Sequence, residues 1–198
     1  MLRKKVENDT KFVILRKENS FVGICITNHG LYSNTIPYFS RTKVEEKIHQ
    51  YFGESRIIDK YQNASQNQLA HEIAELIFQR WKGLDYNLNR DIISILDFTG
   101  YSPKQRQVLK ECGQVPHGTT LSYGELARKA GYEGAARFAG TCMAKTRFPI
   151  VLPCHRITRA NSLGRYGDDP DLKRILLERE GIKVEALFKR RRKISTPL

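Results

Sequence analysis

The stretch Ile150-Val-Leu-Pro-Cys-His-Arg-Ile157 constrains this chain more than any other, because an apolar run that must be buried stops at Pro153 and presents Cys154, His155 and Arg156 in succession. Proline fixes its own φ and keeps Leu152 extended, so the pattern predicts a buried strand that ends at Cys154. A cysteine is nucleophilic as its thiolate, and a neighbouring imidazole or guanidinium favours that form. The fold therefore has to bring a core strand to the edge of a site. Taken alone, the same residues also fit a small buried thiol with no chemistry.

With 198 residues, 40% of them hydrophobic, the chain can build one medium domain or two small ones around a sizeable core. No apolar run reaches the length of a membrane span, and Met1-Leu-Arg-Lys-Lys-Val-Glu-Asn8 lacks the hydrophobic segment of a secretory signal. A cytoplasmic location is expected, or a nuclear one in a eukaryote. Cys25, Cys112, Cys142 and Cys154 are widely spaced with no Cys-x-x-Cys pair, which suits a reducing compartment. Cys25 with the scattered His29, His49 and His71 makes a poor zinc constellation, so no metal is expected.

The net charge of +13 is unevenly placed. Residues 1–100 hold 14 Lys/Arg against 12 Asp/Glu, whereas residues 101–198 hold 20 against 9, so the basic character belongs to the half that carries Cys154. Five of those charges form the tail run Lys189-Arg-Arg-Arg-Lys193. Such asymmetry points to a polyanionic partner, and equally fits a solvated basic surface.

In chain order, Lys11 to Lys17, Phe21 to Thr27 and Leu31 to Phe39 are β-branched and aromatic runs separated by polar turns, predicting an antiparallel meander whose third strand Pro37 confines to an edge. Thr42 to Phe52 and Asn67 to Trp81 have helical periodicity, and Ile92 to Phe98 reads as a short strand. Thr99-Gly100 is the expected boundary between a scaffold domain, 1–99, and a second domain, 100–198. There Ser102-Pro103 starts a helix reaching about Cys112. Ser122 and Glu125 have capping-box spacing before a helix ended by Gly131, and Ala135 to Lys145 forms another. Two short helices joined by a glycine-containing turn predict a helix-turn-helix; two core helices that bind no DNA fit the same pattern. Asp169 as N-cap, Pro170, an apolar face of Leu172, Ile175 and Leu176, and the stop Gly181 predict a last helix ending at Glu180.

Three ordered blocks, Pro116-His-Gly-Thr-Thr-Leu-Ser-Tyr-Gly-Glu-Leu-Ala127, Ala135-Ala-Arg-Phe-Ala-Gly140 with Met143, and Pro149-Ile-Val-Leu-Pro-Cys-His-Arg156, closely resemble the O6-alkylguanine-DNA alkyltransferases. The likeness covers residues 87–182 strongly and the first half only in layout. It implies an α+β protein of two domains: a ribonuclease-H-like α/β domain, then a mostly helical domain carrying the helix-turn-helix and the active-site cysteine. It further implies that a monomer repairs double-stranded DNA carrying O6-alkylguanine, moving the alkyl group once and irreversibly to Cys154, with no dissociable cofactor. His155 would deprotonate Cys154 through a water, and Glu180 would orient the imidazole.

The same resemblance implies extrusion of the target base. Arg137 would fill the gap left in the stack, while a helix surfaced by Ala135, Ala136, Ala139 and Gly140 enters the minor groove and Arg156 adds to the DNA contacts. Tyr123 would press on the target phosphate, and Met143 and Tyr166 would wall the guanine pocket. Thr146 stands eight residues before the cysteine where the family usually has asparagine, so one hydroxyl replaces an amide there. Three other classes compete with this reading. A lesion-binding alkyltransferase-like protein would lack the acceptor cysteine, and a helix-turn-helix regulator would carry more base-reading Arg, Asn and Gln on the second helix. A cysteine hydrolase would show ester turnover.

Overall fold

The computed structural model describes residues 10–85, 91–167, 169 and 171–188. The N-terminal segment 1–8, the basic run 189–193 and Pro170, expected as a first helical residue, lie outside the described residues. The chain forms two compact units, one from residues 10–79, 91–100 and 147–151, the other from residues 80–85, 101–146 and 152–188. The architecture is mixed α+β. Among the described residues no helix is long and apolar enough to cross a membrane.

In the first unit β1 (Lys11–Lys17), β2 (Ser20–Thr27) and β3 (Gly30–Asn34) form the expected antiparallel meander. The third strand stops at Asn34, before Pro37, and Tyr38 returns to bridge Phe21. A strand that the sequence pattern does not signal, β4 (Arg56–Ile58), pairs in parallel with β1 and gives the order β3-β2-β1-β4. Three residues are too few for a period to register. Helix α1 (Arg41–Phe52), capped by Ser40, buries Val44 and Ile48. A Cβ at Gly23 would come within 2.8 Å of Ile48 Cδ1, so the absent side chain is what lets α1 lie directly on β2. Helix α2 spans Ala64–Trp81 and buries Ile73, Leu76 and Ile77.

The expected strand over 92–98 is a 3-10 turn, Ile93–Ile95, followed by a single parallel bridge from Leu96 to Leu31. Asp91 explains the difference, since its carboxylate accepts from Ile93 N at 3.0 Å and its carbonyl from Ser94 Oγ at 2.7 Å. Local bonds of this kind satisfy groups that a ladder would otherwise use. Within the same unit Arg147 ties β3 to this turn, donating to the carbonyls of Tyr32, Asp97 and Thr99 at 2.9 to 3.0 Å while its guanidinium lies 4.0 Å over the Tyr32 ring.

The second unit opens with α3 (Pro103–Gly113), whose capping box joins Ser102 and Gln105. The Ser122–Glu125 capping box starts α4 (Tyr123–Lys129), and α5 (Ala136–Ala144) follows after a turn in which Gly131 and Gly134 take positive φ. Edge-to-face packing of Tyr132 on Phe138 at 5.9 Å holds that turn against α5. Two short parallel strands, β5 (Leu121–Ser122) and β6 (Ile157–Thr158), align the segments on either side of them.

Cys154 is not at the end of a strand. Cys154–Arg156 is a 3-10 turn, with Cys154 N donating to Leu152 O and Arg156 N to Pro153 O, and β6 begins only at Ile157. Proline has no N–H to give a ladder, so the backbone folds on itself here. In the first unit, Ile150 sits at φ 69° in a tight turn from Pro149 to Val151; a left-handed β-branched residue costs roughly 1–2 kcal/mol, and the complete burial of Ile150 holds it in place. The last helix, α6 (Leu172–Arg179), starts later than expected, because Asp169 caps a turn by accepting from Asp171 N at 2.8 Å. Ile175 is 37% exposed, whereas Leu172, Lys173, Leu176 and Leu177 face the interior.

Tyr61 locks the first unit's sheet: its hydroxyl accepts from Ile26 N at 2.7 Å and can donate to Lys11 O or Ile24 O, each at 3.0 Å. Tyr61→Phe strands a buried N–H and the one carbonyl that the hydroxyl serves, so urea unfolding is expected to show a loss of about 1–3 kcal/mol; an unchanged midpoint would mean that the sheet closes without this tie.

Candidate active site

The first structural group of the site is an anion shared by two neighbours. Glu180, at the C-terminal cap of α6, accepts from His155 Nε2 at 2.7 Å and from Arg156 Nε and Nη2 at 2.9 to 3.1 Å. Gly118 N adds a bond at 3.3 Å, and the remaining Arg156 Nη1 donates to Val115 O at 2.6 Å. Burial pushes the Glu180 carboxyl up, but the hydrogen bonds from His155 and Arg156 outweigh it and bring it down to about 2. The same burial lowers His155 below its ordinary value against the pull of Glu180. The ring is therefore neutral near pH 7. A neutral imidazole facing a carboxylate through Nε2 carries its proton there, which leaves Nδ1 as the basic nitrogen. Among the described residues His155 Nδ1 is buried without a hydrogen-bond partner.

Cys154, 5% exposed, stands next to this couple. Its thiol lies 3.7 Å from Tyr166 Oη, and the Tyr166 ring meets the His155 ring edge-on at 6.2 Å. Burial first, and then the Cys154 charge, hold the Tyr166 hydroxyl well above its ordinary value, so it stays protonated and can donate to a thiolate. Tyr123 packs between two glycines: a Cβ on Gly140 would stand 3.9 Å from its ring and one on Gly164 3.4 Å from its hydroxyl. Met143 is buried in α5. Thr146, just past α5, is half-buried and its amide donates to Met143 O at 3.4 Å.

Of the residues expected against DNA, Ala136 and Arg137 are exposed on α5, and Ala135 and Gly140 are half-buried. Ala139 points inward and is fully buried. Arg156 is 4% exposed, and its donors are committed to one carboxylate and one carbonyl, so it is not available to a phosphate. Its place is inside the site.

Lys173 is not among the residues that the sequence pattern places at the site. This residue is 1% exposed, donates from Nζ to Ile157 O and lies 5.6 Å over the Tyr123 ring. The signal was present: residues 172, 173, 176, 177 and 180 form one stripe at helical spacing, with Lys173 inside it. Among the described residues no group of three or more His, Cys, Asp or Glu side chains could hold a metal ion.

A family model for the DNA-binding domain of 6-O-methylguanine DNA methyltransferase matches residues 103–182. The chain is 35% identical over 130 residues to the methylated-DNA–protein-cysteine methyltransferase of Methanothermobacter thermautotrophicus, covering 65% of this chain and 71% of that one. It is 30% identical over 173 residues to the protein of that name from Methanocaldococcus vulcanius, covering 86% and 98%. Among solved structures, the fold is similar to Mycobacterium tuberculosis OGT in complex with DNA, with a TM-score of 0.62 at 23% identity over 86% of this chain and 92% of that one. An O6-methylguanine DNA methyltransferase from Methanococcus jannaschii aligns with a TM-score of 0.54 at 25% identity, over 86% and 93%.

Two consequences follow from the shared carboxylate. Arg156→Met removes one partner of a buried ion pair and is expected to cost about 3–5 kcal/mol in urea unfolding, whereas a surface arginine would cost well under 1. Glu180 and His155 both have folded values below their unfolded ones, so the stability they provide is fully present at neutral pH. It is lost in stages on acidification, first below about 6.5 and then between about 4.5 and about 2. Unfolding midpoints that do not change across that range would contradict the assignment.

Proposed function

The chain belongs to the methylated-DNA–protein-cysteine methyltransferase family, and from that membership we propose how its residues carry out DNA repair by alkyl transfer. The Cys154 thiol gives its proton to the basic Nδ1 of His155, directly or through a water, while Glu180 holds the opposite nitrogen and stabilises the imidazolium that forms. The sulfur attacks the carbon bound to O6 of guanine as the C–O6 bond breaks. The electron pair leaves on the guanine, which takes a proton, and the product is an S-alkylcysteine. That thioether cannot be hydrolysed back under ordinary conditions, so each molecule reacts once.

The observation that carries this reading is the buried Cys154 beside a His155–Glu180 couple whose imidazole is neutral. Double-stranded DNA carrying O6-alkylguanine is the proposed substrate, held by α4 and α5 with Arg137 in the gap left by the extruded base. Tyr123, Tyr166 and Met143 are the proposed pocket walls, and Thr146 sits where the end of α5 approaches them. The first unit, with its meander, parallel β4 and α1, is proposed as a ribonuclease-H-like scaffold. The protein is proposed to act as a monomer in the cytoplasm, where its four free thiols stay reduced.

Incubation with an O6-methylguanine duplex is expected to add one methyl group, mapped to Cys154, per molecule of protein. Cys154→Ala is expected to abolish transfer and keep salt-sensitive DNA affinity, since phosphate attraction does not involve the thiol. Arg137→Ala is expected to slow transfer from the duplex strongly and from free modified base little. A methyl group on Cys25, Cys112 or Cys142, or repeated product release from unmodified protein, would overturn the assignment.

A further inference from the structure

Glu180 stands at the C-terminal cap of α6, and helix ends fray because their last carbonyls have no partner within the helix. A carboxylate that orients an imidazole has to be held to within a fraction of an ångström by the packing around it. The bonds from His155 and Arg156 grip the Glu180 side chain and leave the backbone at the helix end to other contacts.

Those contacts come from a segment much earlier in the chain. Residues 80–85, at the end of α2, belong to the second unit and begin with the buried Arg80, whose charge reaches Arg156, Asp85 and Glu180. Gly83 closes a turn there at φ 84°, its amide bonded to Arg80 O. Its Cα packs on the peptide group that joins Arg179 to Glu180, so that a Cβ would stand 2.5 Å from the Arg179 carbonyl carbon. Arg179 grips the same segment, donating from Nη1 to Trp81 O at 2.7 Å and lying 5.1 Å over the Trp81 ring. On the other side of Glu180, the Gly118 amide reaches the carboxylate, and a Cβ on Gly118 would stand 3.5 Å from the Glu180 carbonyl. Its neighbour His117 closes the circuit through Nε2, 2.9 Å from Gly83 O. A carbonyl only accepts, so His117 Nε2 carries the proton in this bond. Gly83, Arg179, Glu180, Gly118 and His117 form one closed ring of contacts.

We propose that Gly83 and His117 are positioning residues for the transfer: a bracket, built from the end of α2 and the loop before β5, that holds the Glu180 backbone so that its carboxylate keeps the His155 ring turned with Nδ1 free to serve Cys154. This rests on His155 being the base for Cys154. Neither bracket residue takes a proton in the reaction. Their effect passes through Glu180, so loosening the bracket leaves the DNA contacts of α4 and α5 intact and disturbs the step that needs a fixed imidazole.

The test uses the full chain and two readouts. One is the exchange with water of the His155 Nε2 proton, followed by NMR without DNA; the other is the single-turnover rate of methyl transfer from an O6-methylguanine duplex and from free O6-methylguanine. G83A drives a methyl group into the Arg179 backbone and threatens the fold, so the informative variant is H117L, at a half-buried position. H117L is expected to exchange that proton about three- to tenfold faster, the factor that one net hydrogen bond contributes, and to slow transfer similarly from both substrates with duplex affinity unchanged. H117Q keeps an amide donor and is expected to restore most of both. R179M loosens the same ring from its exposed side; it is expected to give the same pattern and carries the test alone if H117L does not fold. A folded H117L with wild-type exchange or a wild-type rate overturns the proposal, as does a rate lost on duplex alone or an H117Q that restores nothing. Proton exchange requires no DNA, so a chain that takes no methyl group yet shows the His117-dependent exchange would refute the repair reading and leave the bracket standing.

Discussion

The second unit is organised around the Glu180 carboxylate. An anion at the C-terminus of a helix opposes the helix dipole, and burying it away from water adds a further penalty. Both costs are met by His155, Arg156 and the amide of Gly118, which arrive from two separate segments of the chain. The parallel pair β5–β6 makes that meeting possible, because the residues preceding both strands, Val115 to Gly118 on one side and His155–Arg156 on the other, then lie at the same end. At the opposite end stand the residues that follow the strands, Tyr123 and the Arg159–Gly164 loop. One end of a two-residue ladder thus holds the charge network and the other holds Tyr123.

A consequence of this arrangement is that charge and basicity are divided among different residues. His155 is fixed as a neutral ring with a basic Nδ1, Arg156 is consumed by Glu180, and Tyr166 remains a protonated phenol against the sulfur. Removing any one member would leave a buried polar partner unmatched, and such networks are sensitive to single deletions for this reason.

Much of this was legible in the sequence wherever a local rule fixes the outcome. The capping boxes at Ser102–Gln105 and Ser122–Glu125 name their own partners, and the meander follows from strand composition and turns. The Pro-Cys-His-Arg block pointed to the turn that carries Cys154, and Glu180 was reachable from the resemblance. What the sequence concealed depends on three-dimensional placement. The residues before Cys154 look like a strand because apolar content signals burial, while Pro149 and Pro153 dictate turns. Arg156 looks like a DNA contact because charge suggests the surface, yet a carboxylate 24 residues away makes the interior its better environment. Ile92 to Phe98 has strand composition, and Asp91 diverts it into a 3-10 turn. Lys173 hid in an apolar stripe, where a lone lysine is usually assigned to solvent.

The buried network holds His155 as a neutral base with its proton on the nitrogen facing Glu180. Nitrogen NMR of the imidazole, with His155 assigned by substitution, measures this directly. At neutral pH the expected spectrum shows a protonated Nε2 and an unprotonated Nδ1, with imidazolium appearing only at pH values below the ordinary histidine range. A proton on Nδ1, or a ring already charged at pH 7, would contradict it.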